Sequence, residues 1–517
     1  MKFIQGQDRT QINLFPVSLD QTIDPENEVR IIDLFVDSLS VKDYGFRMDF
    51  IENGRPAYHP SDLLKLFIYG YLNKVRSSRD LEKECRRNIE VMWLLKNLRP
   101  DHNTISNFRR DNGPAIKKVF RATVKIARNF NLLGGKLLAG DSTKLRAQNS
   151  KKNNYNQAKI DRHIAYIDNK LAEYTRALAE NDGDRHQQTE DEISEQQKRK
   201  DNYRNLEQQL IESGEPQISL SDPESRQIMV RNNITEVSYN VQTTVDSKNN
   251  IPIDYKVTNE NDSKAMGNMV QRAKSIFRTN EFTVLYDKGF HTGSELKTVQ
   301  DLGVETIVAI PGVPVTSQAP DPLFNYEFFR YNREDDTYTC PHGDEMRTNG
   351  SWYKEKTSAG NIIRFKQYKT RACRTCPVRS HCTRSKKERL IHRSEYADYY
   401  ERNRINTIHK EHLYKRRQAI VEHPYGTLKR QWGFSYILTK KGINRASADV
   451  GFMFIAYNLR RVINILGQEL FREYLRVLIQ QFLNVRGFFR RKISRFTAPL
   501  FQTITCVPEL QLSLKSL

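Results

Sequence analysis

Three carboxylates and four thiols are the residues of this 517-residue chain whose types and placement could do chemistry. Asp141 closes the run KLLAGD, which reads as a short buried strand. Asp287 closes a second such run, FTVLYD. Glu422 lies in YKRRQAIVEHPYGTLKR, a helical stretch. Hard oxygen donors suit Mg²⁺ or Mn²⁺, and three carboxylates can hold two such ions a few ångströms apart. Two ions would activate a water or a 3′-hydroxyl and stabilise the leaving oxygen of a phosphodiester. The intervals between these acids are long, so no spacing rule singles them out. Asp246, Asp254 and Asp262 stay open beside them, each with an ordinary reading as turn residue, helix cap or ion-pair partner. For Asp262, just before a helix, the cap reading is preferred.

The thiols are Cys340, Cys373, Cys376 and Cys382. Cys373 and Cys376 form a C-x2-C pair, Cys382 is close by, and Cys340 arrives from the strand-like turn TYTCPHG. Four thiolates would make a closed, structural Zn²⁺ site, with His342 and His381 as substitute ligands. Arg371, Arg374 and Arg379 would favour the thiolate form. The rival reading is four reduced thiols without metal, or a redox pair. Cys85 and Cys506 stand alone. Six cysteines in so long a chain are not a disulfide framework.

The elements that must position these groups can be read from periodicity. PSDLLKLFIYGYLNKV (60–75) has helical spacing. Ser77 with Asp80 resembles a capping box for a helix DLEKECRRNIEVMWLL, and HNTISNFRRD follows Pro100-Asp101. Short helices on tight turns, the last bearing Thr104, Asn107, Arg109 and Arg110, suit a DNA-reading helix-turn-helix; a plain helical bundle with a basic face is the alternative. Ile160, Ile164, Ile167, Leu171, Tyr174 and Leu178 form a coiled-coil seam that breaks at Asn181-Asp182-Gly183-Asp184. A second seam runs through Tyr203, Leu206 and Leu210. Residues 155–212 therefore read as an inserted antiparallel helical hairpin, either a contact surface or a spacer. From 237 the order is strand hairpin, helix, strand, helix, strand, the element order of a ribonuclease-H-like mixed α/β sheet.

The resulting plan is a helical domain over 1–135 and a core over 136–311 and 396–470. A Cys-containing insert occupies 312–395 and a basic tail 471–517. The 83 Lys+Arg against 62 Asp+Glu leave a net charge of +21, with a pI of about 9.5. That excess favours a polyanionic partner, since each cation placed on a phosphate releases a condensed counterion. No apolar run has signal-peptide or membrane-spanning length, so the expected setting is the cytoplasm without membrane contact.

These motifs resemble the DDE transposases of bacterial insertion sequences that carry an N-terminal transposase-associated helical domain. The resemblance runs from about Phe15 to Leu466. LLAGDSTKLRA matches the first acidic motif at Asp141 and YDKGFHTGSEL the second at Asp287. Tyr414, Arg417, Glu422 and Lys429 match the order Tyr, Arg, Glu, Lys of the third. GRPAYHPSDLLKLFIYGYLNKVRSSRDLEK resembles the helical domain. The resemblance implies a nucleoid-associated enzyme that binds the inverted-repeat ends of its element, double-stranded DNA, as a homodimer. It would cut there and join the 3′-OH ends to target DNA, with Asp141, Asp287 and Glu422 holding Mg²⁺ or Mn²⁺. A nuclease that only cuts, or a DNA-binding protein without catalysis, are the rivals. Arg417 and Lys429 are expected at phosphates. Pro424 departs from a clean helix and predicts a kink or restart just after Glu422.

Overall fold

The computed structural model describes residues 18–48, 56–180, 186–231, 234–356, 362–439 and 441–493. The fold is mixed α/β with a helical N-terminal region. Its central sheet is built from β1 (Leu137–Arg146), β2 (Ile234–Asp246), β3 (Ile251–Thr258), β4 (Thr283–Tyr286) and β5 (Glu305–Val308). The spatial order is β3-β2-β1-β4-β5. The first three strands run antiparallel to their neighbours, and β4 and β5 continue parallel to β1. Arg226–Arg231 pairs with the start of β2 along the edge that β3 takes farther on.

Side chains alternate across a strand, and this sheet buries both faces. Leu138, Val284, Tyr286 and Val308 join the large core shared with the N-terminal helices and with Ile443–Leu466. Leu137, Ala139, Val245, Leu285 and Ile307 point the other way, onto Ile420 and Val421 of the helix Glu411–Gly426. The odd-numbered positions of β1 and β4 therefore face that helix, and Asp141 and Asp287 continue the odd series.

Pro60–Leu72 and His102–Asp111 form as their periodicity predicts. The stretch DLEKECRRNIEVMWLL does not stay one helix. It divides at Asn88, which turns extended (φ −103°, ψ 117°) and caps Ile89–Leu94 through its side chain. Ser77 holds the N-cap position of Ser78–Arg87 without a side-chain cap bond, and Asp80 pairs with Lys83 instead, so the capping box does not form.

Gln157–Glu180 and His186–Ser213 pack as an antiparallel hairpin. Ile160, Ile167 and Leu210 are buried in its seam, His163 stacks on Tyr203, and Lys200 pairs with Asp168. The expected break at 181–184 lies outside the described residues. The Cys-containing insert holds its own antiparallel sheet, from Arg330–Asn332 to Ile391–Ser394. The first part of the supposed tail is a helix, Gln468–Ile493, which buries Phe471 and Leu475 in the main core. Its apolar spacing outweighs its basic charge. No helix among the described residues is long and apolar enough to cross a membrane.

Candidate active site

Leu137, Leu138 and Ala139 of β1 pair in parallel with Thr283, Val284 and Leu285 of β4. The same register, carried two residues on, sets Asp141 level with Asp287 on adjacent strands, which lie about 4.8 Å apart. Gly140 permits the approach of the ring behind them. A Cβ there would lie 2.0 Å from the buried Tyr286 ring. Asp287 also caps the short turn Lys288–Phe290, accepting from the Gly289 N–H at 2.9 Å.

Asp141 is half-buried. Its Oδ1 accepts from the Ser142 N–H at 2.7 Å, and its Oδ2 accepts from Arg417 Nη1 at 3.0 Å. Burial lifts its carboxyl above the ordinary range and the charge of Asp287 adds to the lift, against the pull of Arg417 and the Ser142 N–H. Two neighbouring carboxylates with one guanidinium beside them make a hard-oxygen site. Its donor set fits a divalent cation.

Glu411–Gly426 brings the rest. Tyr414 packs at the edge of the small core and Arg417 lies 6.0 Å from its ring centre. Glu422 stands on the exposed flank, its Oε1 taking a bond from Gln418 at 2.8 Å. The structure thus brings Asp141 and Asp287 near enough for each charge to act on the other, while Glu422 bonds Gln418. Pro424 does not break the helix. Its ring is buried, the chain continues to Gly426, and the strain is absorbed by a wider π turn over Thr427–Gln431. In that turn Lys429 Nζ reaches Thr143 Oγ1 at 3.0 Å and the Lys144 carbonyl at 3.2 Å, so it is tied to β1.

One participant, Tyr425, is not evident from sequence, and Asp262, left open there, lies close to the site. Tyr425 donates its hydroxyl to the Asp141 carbonyl at 3.1 Å and meets Thr243 Oγ1 at 2.5 Å, fastening the helix to the carboxylate strand. The signal available was its spacing of four from Val421, on the buried side. Asp262 does not act as a helix cap. Asn261 takes that place, while Asp262 accepts from Lys144, Asn240 and Gln242. Lys144 also bonds Ser142 Oγ, so Asp262 borders the pocket as a neutralised acid. Asp246 clamps the Gly134 and Gly135 N–H groups, and Asp254 sits among Lys117, Arg121 and Arg272. Both are structural.

In the N-terminal helices, Asn107 and Arg110 are exposed, with Arg110 held by Asp111. Thr104 bonds the cap residue Asp101. Arg109 departs from expectation. It is 5% exposed and donates to the Tyr71 hydroxyl and the Arg76 carbonyl beside the buried Asp449. Such a guanidinium is committed to the core and cannot meet a phosphate without leaving its partners unpaired. Cys340, Cys373, Cys376 and Cys382 line one cavity. The tightest metal-type grouping among the described residues there is His342, Asp344 and Cys376, not the four sulfurs.

Two family models match. Residues 17–111 match a transposase domain (DUF772), and residues 339–463 match a transposase DDE domain. The second match spans the four cysteines, Arg417 and Glu422 but neither Asp141 nor Asp287. No curated relative matches the chain. Among solved structures, a chain of a cryo-EM structure of piggyBac transposase synaptic complex with hairpin DNA is similar, at 11% identity and a TM-score of 0.29. It covers 92% of this chain and 86% of that one. The two transposase models fall on the helical N-terminal region and on the segment that includes the helix Glu411–Gly426, and together they support a DDE transposase of the insertion-sequence type.

Proposed function

We propose that the chain binds the inverted-repeat ends of its own mobile element, hydrolyses phosphodiesters there and joins the freed 3′-OH ends to target DNA. The core would be ribonuclease-H-like, a reading supported by three antiparallel strands followed by two parallel ones in the order β3-β2-β1-β4-β5. The observation that supports the proposal is the parallel pairing of β1 with β4, with Asp141 two residues beyond Ala139 and Asp287 two beyond its partner Leu285. Asp141 and Asp287, with Glu422 drawn in from its flank, would hold Mg²⁺ or Mn²⁺. When bound, such ions supply an activated oxygen nucleophile and neutralise the leaving oxygen.

The chain's own residues do the rest. Tyr425 fixes the strand that bears Asp141. Arg417, released from Asp141, would take a DNA phosphate, and Lys429, now bonded to Thr143, would add a second positive charge along β1. The exposed Asn107 and Arg110, with Thr104, would contact the end DNA. Two ends must be handled together, which calls for a homodimer on DNA, in the cytoplasm and at the nucleoid.

The test is a nicking and strand-transfer assay on terminal-repeat DNA with Mg²⁺. Asp141→Asn and Asp287→Asn should each abolish both steps while end binding persists and falls steeply with salt. Near wild-type nicking by either variant would remove that residue from the site. Nicking without any joining by the wild-type chain would leave a nuclease.

A further inference from the structure

We propose that the insert carries a structural zinc centre in which Cys340, Cys373, Cys376 and Cys382 are the ligands. It is separate from the carboxylate site and does not rest on the catalytic reading.

Residues far apart in sequence converge here. Cys340 leaves the strand Thr337–Thr339, Cys373 lies in the turn Arg371–Arg374, and Cys382 ends the short helix Arg379–Cys382. All four thiols are unbridged and border a single cavity of about 20 Å³. That is room for roughly one water-sized occupant. The Asp344 N–H is aimed at Cys340 Sγ, at 3.3 Å, as a backbone donor supports a thiolate. Apposed thiolates in so small a space need a cation.

The surrounding charge agrees. Four thiolates around Zn²⁺ leave an excess of negative charge, and Arg379 and Arg389 border the cavity. The fold of the insert needs the staple. Its core is five buried apolar side chains, Phe329, Tyr338, Met346, Tyr368 and Ile391, with Cys340 and Cys382 packed on them. So small a core rarely holds a sheet and a loop arm together unaided. His342 and Asp344 lie within 4.8 Å of Cys376. They form the competing ligand set, but a mixed set would leave Cys340, Cys373 and Cys382 apposed without a cation.

Full-length protein purified without chelator should contain about one zinc per chain. A thiol-capping mercurial should release it to a chromogenic chelator. Co²⁺-substituted protein should show thiolate charge-transfer and tetrahedral d–d bands. Cys373→Ser and Cys382→Ser should each lose the metal, whereas the double variant His342→Ala/Asp344→Ala should keep it with an unchanged Co²⁺ spectrum. Asp141→Asn/Asp287→Asn should retain full zinc content whatever happens to its cleavage activity. The proposal is overturned by wild-type protein with no zinc and four reactive thiols, or by zinc that the mercurial does not release. Loss of metal in the His342/Asp344 variant with retention in a cysteine variant would equally overturn it. The mercurial arm needs only wild-type protein, so a cysteine variant that fails to fold does not blunt the test.

Discussion

Arg417 donates to Asp141 Oδ2 at 3.0 Å, so the first carboxylate of the site already holds a cation, one supplied by the protein. The guanidinium feels Asp287 as well. It stands where a divalent ion would have to approach, and it is the same residue that the family motif expects at a phosphate. On the proposed reading, a bound ion and a DNA phosphate would each draw Arg417 away from Asp141.

Arg417→Gln should therefore separate metal affinity from turnover. Without DNA, Mn²⁺ binding followed by electron paramagnetic resonance should tighten, because a competing positive charge is gone. Cleavage of terminal-repeat DNA should fall by at least roughly tenfold, the loss of one charge-assisted phosphate contact. Unchanged Mn²⁺ affinity would show that the ion pair does not compete with metal.

The acid limb of cleavage follows from the same carboxylate. Burial, with the charge of Asp287, holds Asp141 above the usual aspartate range. A cation needs the ionised form, so activity should fall on acidification at a higher pH than an ordinary aspartate would give. Arg417 pulls the carboxyl down, so in Arg417→Gln the limb should move to still higher pH. A limb that moves down, or stays in place, in a pH–rate profile of that variant would contradict the assignment.

Glu422 poses a different question, since it is exposed and bonded only to Gln418 among the described residues. Glu422→Gln should leave thermal stability within about 0.5 kcal/mol of wild type, as surface changes do. If it is the third ligand, cleavage should nevertheless be lost, and combining it with Asp141→Asn should cost little more than either alone. Retained cleavage would pass the role to another acid, with Asp262 at the pocket border the first to test.

Arg109 and Asp449 belong to stability. Asp449 is fully buried, bonded by Arg76 and the Leu438 N–H and flanked by Tyr71 and Arg109. Burial pushes its carboxyl up, but those partners outweigh it and hold it below the ordinary value. The stabilisation is complete above the unfolded-state pKa near 3.8 and is lost as pH falls through the lower folded value. Asp449→Asn and Arg109→Ala should each cost about 3–5 kcal/mol in urea unfolding at neutral pH. For Arg109→Ala, a weakened end affinity with unchanged stability would return this residue to the DNA surface.

Gly140→Ala tests the backing of the carboxylates. The new methyl would meet the Tyr286 ring. Overpacking should cost about 1–3 kcal/mol and displace Asp141, with cleavage impaired beyond the stability loss. Gly140→Ala with Tyr286→Leu should recover part of both.

The sequence by itself determined most of the elements and singled out the two aspartates as candidates. β1, β4, His102–Asp111 and the helical hairpin are local patterns of period two or 3.6, and such patterns need no partner to be read. Asp141 and Asp287 could be named because each closes an apolar run and sits in a family motif, although β1 itself continues past Asp141 to Arg146 because its polar half keeps pairing with β2. The tertiary structure decided which groups meet. Parallel pairing of β1 with β4 sets the two acids level, and strand alternation turns both toward Glu411–Gly426. Charge on a helix does not reveal its own burial, so Arg109 read as a surface cation until the packing placed it against Tyr71 and Asp449. Tyr425 and the pairing of Lys144 with Asp262 were likewise beyond reach of spacing, whereas the grouping of Cys340 with the C-x2-C pair was expected from it. The partners of Tyr425 and Lys144 lie far off along the chain, and only its closure brings them within hydrogen-bond distance.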